Sequence, residues 1–374
     1  MARTIFYISN LNKIGGVEQW MYYIAKHYGH RKDFAVICDS GDKEQLRRLT
    51  KLCKVQYYNG EKIKCENAIF TYNFNIIDNV EAKNYFHFIH GNIEAVKKIY
   101  PNMDMTAAPQ ITKQYSVSKI TAEGYKNVYG IDTEVFYNIV DIDKPKKLTD
   151  QENPFYNKKG LKLITTSRSI DEIKGFEYME TIAKKLKEQD IPFTWLCFSD
   201  KPAKAKDSFI FMKPELDITP YIQEADYLVQ TSKDESYGYS LVISLCLGIP
   251  VITTDIPVLK ELGVVDGFNG YVLKFDMSNL DINKIVNNKP TFQNYQPPMD
   301  FDKWEAILGE DTQGYEYNEE YANKIINVRW KATARVKDDV GIKYADEEVF
   351  IADSSRIRML VNHNLIRRIP WHIV

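Results

Sequence analysis

The sequence predicts an α/β chain: two doubly wound parallel sheets in succession, then a small, mainly β module. Three observations predict it. Short β-branched or aromatic runs, such as Thr4 to Ser9, Phe34 to Cys38, Leu161 to Thr165 and Val251 to Thr253, alternate with amphipathic helical segments, the pattern of parallel strands covered by helices on both faces. The alternation breaks once, over Asp141 to Pro154, where Lys-Pro and Asn-Pro dipeptides and mixed charges read as an interdomain linker. It stops near residue 310, after which the pattern changes to a half-buried strand and a capped segment. The expected boundaries are therefore 1–143, 144–309 and 310–374.

Composition narrows the class. A chain of 374 residues with 44% hydrophobic content can bury more than one core. Its net charge of -2 provides no global basic field for nucleic acid or an anionic membrane. Cys38, Cys53, Cys65, Cys197 and Cys246 lack metal-ligand spacing and lie in or beside apolar segments, as reduced buried thiols do. No apolar run reaches the length of a membrane span, and the opening MARTIFYISN runs directly into a strand, so a cytoplasmic, untargeted protein is expected. The 25 tyrosines would suit sugar-stacking surfaces, although AT-rich codon usage explains them more simply.

In the first half, the strand from Thr4 leads through a polar loop into Gly15-Gly16 and then a helix with Val17, Trp20, Met21, Ile24 and Tyr28 on one face. A glycine pair between strand and helix lets backbone N–H groups approach an anion, although it also serves as a plain tight turn. Strands follow at Phe34 to Cys38, Val55 to Tyr58, Ala68 to Tyr72 and Tyr85 to Ile89, with a charged helix over Asp42 to Lys51. His90-Gly91-Asn92 then stands at a strand's C-terminal end, where open α/β sheets bind ligands. His87, two residues earlier, is the competing histidine. Gln114 to Ser118, a helix over Ile120 to Tyr129 and a short strand at Glu134 to Tyr137 complete the first sheet.

The second sheet opens at Leu161. Arg168 at the end of that strand and Lys174 at the start of the next helix put two cations over one crevice, the charge a departing diphosphate requires. The helix buries Phe176, Met179, Ile182, Ala183 and Leu186; strands at Phe193 to Phe198 and Phe209 to Met212 and a helix at Ile218 to Glu224 follow. Thr231 to Asp255 is the stretch the rest supports: strand, polar loop with Glu235, a turn at Gly238, a helix through Cys246, a stop at Gly248 and Pro250, and another strand. A helix N-terminus at Tyr239 and Ser240 presents unpaired N–H groups to phosphate. Pro257 to Leu262 reads as a helix, Gly270 to Leu273 as a strand and Phe301 to Leu308 as a helix. No G-x-G occurs, which excludes the dinucleotide fingerprint, and there is no Walker A loop.

Glu235, Tyr237-Gly238-Tyr239-Ser240 and Gly248-Ile249-Pro250-Val251 together resemble the signature of retaining GT-B glycosyltransferases of the family 4 type, the glycosyl transferases group 1. Gly15-Gly16-Val17-Glu18, Asn138-Ile139-Val140-Asp141 and the Arg168 and Lys174-Gly175 loop are similar to further motifs of that family, and the resemblance covers about residues 1 to 309. It implies two Rossmann-like domains facing across a cleft, with Phe301 to Leu308 as the helix that crosses back to the first. It also implies transfer of a sugar from a nucleotide-diphosphate sugar, a UDP-sugar by expectation, with retention and without a metal. In these terms Arg168, Lys174 and the amides of Gly238, Tyr239 and Ser240 hold the diphosphate, Glu235 and His90 hold sugar hydroxyls, and Gly15 and Gly16 lie near donor phosphate and acceptor. The family's second Glu, a ribose ligand, is replaced by Ile243, which between Val242 and Leu245 on a helix that must bury one face fits plain core better. Asp141-Ile142-Asp143 matches the Mn²⁺-binding carboxylate pair of the other glycosyltransferase fold, but it falls in the linker, so no metal site is expected.

The acceptor stays open: a glycan, a small molecule or, as in some phage glucosyltransferases, a DNA base. A non-catalytic nucleotide- or glycan-binding descendant is the other reading, motivated by Ile243. In the tail, Val328, Trp330, Ala332, Ala334 and Val336 alternate with Arg329, Lys331, Thr333 and Arg335, a half-buried strand. Val349 to Ala352 reads as a second strand, Ser354 or Ser355 as a cap to a short helix, and the whole weakly resembles small β modules of bacteriophage proteins. Such a module could carry self-association.

Overall fold

The computed structural model describes residues 3–11, 14–99, 101–102, 104–167, 173–199, 207–327, 330–332, 336–339, 342–343, 348–349, 359–360 and 366–368. Arg168 and the rest of 169–172, expected in the anion-binding loop, lie outside these residues, as do Arg329, Arg335 and the proposed cap at Ser354 or Ser355.

The first sheet has seven strands: β1 (Thr4–Tyr7), β2 (Phe34–Cys38), β3 (Lys54–Tyr57), β4 (Asn67–Phe70), β5 (Asn84–Ile89), β6 (Lys113–Ser116) and β7 (Glu134–Val135), in the order β7-β6-β5-β4-β1-β2-β3. The second has six, in the order β10-β9-β8-β11-β12-β13: β8 (Leu161–Thr166), β9 (Phe193–Phe198), β10 (Ile210–Met212), β11 (Tyr227–Gln230), β12 (Val251–Thr254) and β13 (Gly270–Leu273). Both reverse direction of travel after their first three strands, the doubly wound order that places ligand sites at strand C-terminal ends beside the switch point. In the second sheet that point lies between β8 and β11, which pair in parallel with Leu163 opposite Tyr227.

By contacts the chain divides into two compact units. Unit 1 comprises residues 1–88, 107–114 and 302–374, and unit 2 comprises residues 89–106 and 115–301. In unit 1, β1 is buried along its whole length and α1 (Gly16–Tyr28) covers it with Val17, Trp20, Met21, Ile24 and Tyr28, the predicted face. Asp42 starts α2 (Lys43–Thr50) by accepting hydrogen bonds from the backbone of Glu44 and Gln45, a cap worth about 1 kcal/mol. Of α9 (Phe301–Leu308), the residues from Asp302 onward belong to unit 1. There Trp304 stacks on Phe88 with centroids 5.0 Å apart and sits among Phe6 and Trp20, and Asn67 Nδ2 donates to the Ile307 carbonyl at 2.7 Å.

The chain does not leave unit 1 at residue 310. The Lys32 N–H donates to the Thr312 carbonyl at 2.9 Å, and α10 (Glu319–Ile326) buries Ala322 and Ile326. Tyr321 Oη donates to the Val55 carbonyl at 2.7 Å, and Tyr315 reaches the carbonyl of Thr50. Beyond, Trp330–Ala332 is a strand between Glu348–Val349 and Ile366–Arg368, all antiparallel, and Val336–Lys337 pairs with Ile342–Lys343. The single long strand expected from Val328 to Val336 is thus met by two short ones among the described residues.

His87 on β5 is a core residue of unit 1. It is 2% exposed, lies edge-on to Phe74 with centroids 5.0 Å apart, and has Gln114 Oε1 at 3.4 Å from Nδ1. Burial lowers its pKa to about 4, so it is neutral at physiological pH.

In unit 2, α5 (Phe176–Glu188) presses Met179, Ile182, Ala183 and Leu186 onto β8, β9 and β11 residues Leu163, Trp195, Cys197 and Val229. Each such large aliphatic side chain contributes about 1.5–3 kcal/mol by leaving water, and together they hold the helix on the sheet. Ser118 caps α4 (Lys119–Tyr129) at Thr121, α7 (Tyr239–Cys246) sits between β11 and β12, and the short α6 (Thr219–Gln223) and α8 (Ile282–Asn287) bury Ile222 and the pair Ile282 and Ile285. Pro257–Lys260 is a 3₁₀ turn in place of the expected α-helix, begun by a proline and ended after four residues.

Candidate active site

Three strand-end loops of unit 2 are tied together by hydrogen bonds. The loop after β8 arrives at Gly175, whose φ of 60° is left-handed and whose missing Cβ leaves room for the Thr231 carbonyl; a Cβ there would lie 2.0 Å from that oxygen. Thr231 Oγ1 donates to the Gly175 carbonyl at 2.9 Å, and the Lys233 N–H donates to the Ile173 carbonyl at 2.7 Å. The β8 and β11 loops therefore run side by side, and only glycine at 175 permits it.

This junction brings Lys174 and Glu235 together. Lys174 Nζ stands 2.7 Å from Glu235 Oε1, with the lysine side chain one-third exposed and the carboxylate 15% exposed. Ser232 Oγ donates to the same oxygen at 2.8 Å. A charge-assisted pair of this geometry is roughly twice as strong as a neutral hydrogen bond, yet it leaves the lysine reachable by a stronger anion. Thr254 in turn donates to the Ser232 carbonyl, fixing the loop to β12.

From Ser236 the chain enters the turn at Gly238, left-handed at φ 74°, and α7 begins at Tyr239. No side chain caps this helix and no acidic residue lies in its first turn. A helix N-terminus of this kind carries a partial positive charge that favours an anion. Ser240 donates its hydroxyl to Gln230 on β11, and Tyr239 packs edge-on against Tyr237 at 5.0 Å. Tyr237 is buried and donates to the Asn138 carbonyl at 3.3 Å. Ile243, one turn further on, is 5% exposed and offers no hydrogen-bonding group.

His90 belongs to unit 2 and is half-buried just past β5. The loop it opens joins the Glu235 loop through Asn92, whose backbone N–H donates to Ser236 Oγ at 3.1 Å and whose Nδ2 donates to Asp234 Oδ1 at 2.7 Å. Asp234 titrates above the usual carboxylate range, chiefly because burial disfavours its charge; the hydrogen bond from Asn92 opposes this and the neighbouring Glu235 adds to it. Ser232, Asp234, Ser236 and Asn92 were not singled out from the sequence. The signal available for the first three was the polar run Ser232 to Ser236 itself, and for Asn92 its place two residues beyond a strand-end histidine.

Gly15 and Gly16 belong to unit 1. Gly15 is extended, and the carboxylate of Glu18, itself 2% exposed, lies so near that a Cβ on Gly15 would stand 2.1 Å from Oε2. The turn is tight because it accommodates that carboxylate.

Comparison with known proteins finds a family match over the segment that carries this geometry. A family described as "Glycosyl transferases group 1" matches residues 149–296. A curated relative from Klebsiella pneumoniae, named as an uncharacterized 41.2 kDa protein in the cps region, is 25% identical over 214 residues. That match covers 54% of this chain and 57% of the relative, so the chain spans little more than half of that protein's length. Among solved structures, Anabaena HepE in complex with UDP and glucose superposes with a TM-score of 0.57 at 15% identity, over 87% of this chain and 95% of that one. WaaG, a glycosyltransferase involved in lipopolysaccharide biosynthesis, does so at 0.53 and 12%, over 87% and 100%. Sucrose-phosphate synthase from Thermosynechococcus elongatus gives 0.51 and 12%, over 87% and 95%. At these identities the structural likeness establishes the fold, and the family match falls on the segment that carries Lys174, Glu235 and Gly238. The chain has the GT-B fold, and its residues 149–296 match the glycosyl transferases group 1 family.

Proposed function

We propose that the chain is a glycosyltransferase that moves a sugar from a UDP-sugar to an acceptor with retention at the anomeric carbon and without a metal ion. The observation that carries this reading is the Lys174–Glu235 pair at 2.7 Å beside the uncapped N-terminus of α7. A cation and the amides of a helix N-terminus suit a diphosphate, and a carboxylate in the loop before them suits the hydroxyls of whatever that diphosphate carries. HepE, which shares the fold, was captured with UDP and glucose.

In this reading Lys174, Arg168 and the amides of Gly238 to Ser240 hold the diphosphate, so that charge growing on the leaving oxygen meets donors already in place. Glu235 and His90 hold sugar hydroxyls, and Glu235 steadies positive charge at the anomeric carbon. The bond from that carbon to the phosphate oxygen breaks, the acceptor oxygen bonds to the same face, and the acceptor proton passes to the departing phosphate. Lys174 is paired with Glu235 before the donor arrives and turns to the diphosphate when it binds. Ile243 provides no acceptor for the ribose hydroxyls, so the ribose is held by other groups. Gly15 and Gly16, beside the Glu18 carboxylate, suit a hydroxyl better than a phosphate and therefore serve the acceptor.

Thermal unfolding in the presence of UDP, GDP, ADP, UDP-glucose, UDP-galactose and UDP-N-acetylglucosamine tests the reading. A ligand at about 100 times its Kd stabilises by about 2.7 kcal/mol, and UDP and one UDP-sugar should do so. Stabilisation by none of the six would overturn it.

A further inference from the structure

Asn92 is 9% exposed and reaches the residues on both sides of Glu235: its N–H goes to Ser236 and its Nδ2 to Asp234. The other end of its amide is spent differently. Oδ1 has no hydrogen-bond partner among the described residues and faces α4 at Gly124, where a Cβ would lie 2.4 Å from it. A buried acceptor left unsatisfied is unfavourable, and so is glycine within a helix. Both costs fall on holding one amide against one loop.

We infer that Asn92 is the positioning residue for Glu235: it fixes the Asp234–Ser236 segment so that the carboxylate between them keeps its place beside Lys174. The inference rests on the reading of Glu235 as the group that contacts the sugar. The residue type follows from the charges around Asp234, which are Glu235 on the same loop, Lys174 on the β8 loop and Lys98 on α3 (Ile93–Ile99). An alanine at 92 would leave the half-buried Asp234 carboxylate without its donor, and a lysine would compete with Lys174 for Glu235. An aspartate would add a third carboxylate to two adjacent ones. The amide donates one hydrogen bond and brings no charge, so the Lys174–Glu235 pair is left intact.

A swap of donor and acceptor tests this, read as UDP release from the UDP-sugar that stabilises most in the screen above. Asn92→Asp should lower kcat about tenfold or more near neutral pH, with donor KM within about threefold, on the scale of a small misplacement of a reacting group. Its kcat should recover as pH is lowered, because two facing carboxylates share a proton as they titrate together. Asn92→Asp with Asp234→Asn restores an uncharged donor opposite a carboxylate and should return kcat to within about threefold of the parent, with its pH profile. Gly124→Ala, which pushes on Oδ1, should lower kcat and spare UDP affinity. A parent-like rate for Asn92→Asp near neutral pH, or a double variant no faster than the single one, would overturn the inference. If the single variant does not fold, a folded double variant of low kcat would do the same. Glu235→Gln measured alongside keeps the two readings apart: parent-like turnover there removes the sugar role of Glu235, whereas the swap reports on Asn92 alone.

Discussion

Each unit leads a strand through a glycine-bearing turn into a helix, and the two helices begin in opposite ways. α1 follows an extended Gly15 and carries Glu18 in its first turn, buried at 2% exposure and packed onto that glycine. α7 follows a left-handed Gly238 and carries no acidic residue in its first turn; neither helix has a side-chain cap. A helix N-terminus attracts negative charge in either case. In unit 1 the chain's own Glu18 carboxyl lies at the turn; in unit 2 the first turn holds no acidic side chain, and Glu235, paired with Lys174, stands in the loop that leads into it. A strand–glycine–helix pattern therefore marks a possible anion site, and the residues of the first helical turn decide whether a ligand or the chain fills it.

The sharpest way to break this comparison is to remove the unit 2 cation. Lys174→Ala should lower turnover by roughly 10²-fold or more, the scale of one donor lost from developing charge, and weaken UDP binding as well. Rate and affinity unchanged in steady-state kinetics and calorimetry would place the anion site elsewhere.

Unit 1 keeps a second polar group for itself in His87, so mild acid should act on it. Its folded pKa, about 4, lies below the ordinary 6.5, so the unfolded chain binds the extra proton between those values. The stability from keeping it neutral is full above about pH 6.5 and is lost as pH falls toward about 4, by about 3 kcal/mol at most. Denaturant unfolding across that range should show the loss, and His87→Gln should flatten it by about one proton; an unchanged slope would contradict the burial argument.

Filling the open helix start should make unit 2 resemble unit 1. Ser240→Glu should weaken UDP binding about tenfold, roughly 1.4 kcal/mol, while the folded state holds or gains a few tenths of a kcal/mol from the helix dipole. Unaltered UDP affinity in calorimetry would show that α7 is not the phosphate site. The smallest effect on UDP is expected from the converse change. Glu18→Gln should destabilise the fold by about 1 kcal/mol and leave UDP affinity within about threefold. A large loss of affinity would give unit 1's glycine turn a share in the diphosphate.

What could be read from the sequence was local. The inward residues of α1 and α5 follow the 3.6-residue period, and the buried strands are continuous apolar runs, so periodicity alone locates them. Lys174 and Glu235 were legible because each stands a few residues beyond a strand of the second sheet, where topology gathers loops. Asn92 was not, because its partner is 142 positions away and a single amide leaves no period in the sequence. The same holds for α10, which Tyr315 and Tyr321 help fasten to unit 1 through the carbonyls of Thr50 and Val55, more than 260 positions away. Alternation in the tail was visible, but its division into short strands depends on pairing with Glu348–Val349 and Ile366–Arg368, which no local pattern states.

The central claim is that Glu235 serves the sugar while its neighbours serve the diphosphate, and Glu235→Gln tests it in one comparison of UDP release with UDP affinity. The account predicts turnover down by about 10²-fold or more with the Kd for UDP within about threefold of the parent, since an amide cannot supply the lost negative charge and the diphosphate is held by other groups. Turnover and UDP affinity falling by the same factor, or turnover unchanged, would contradict it.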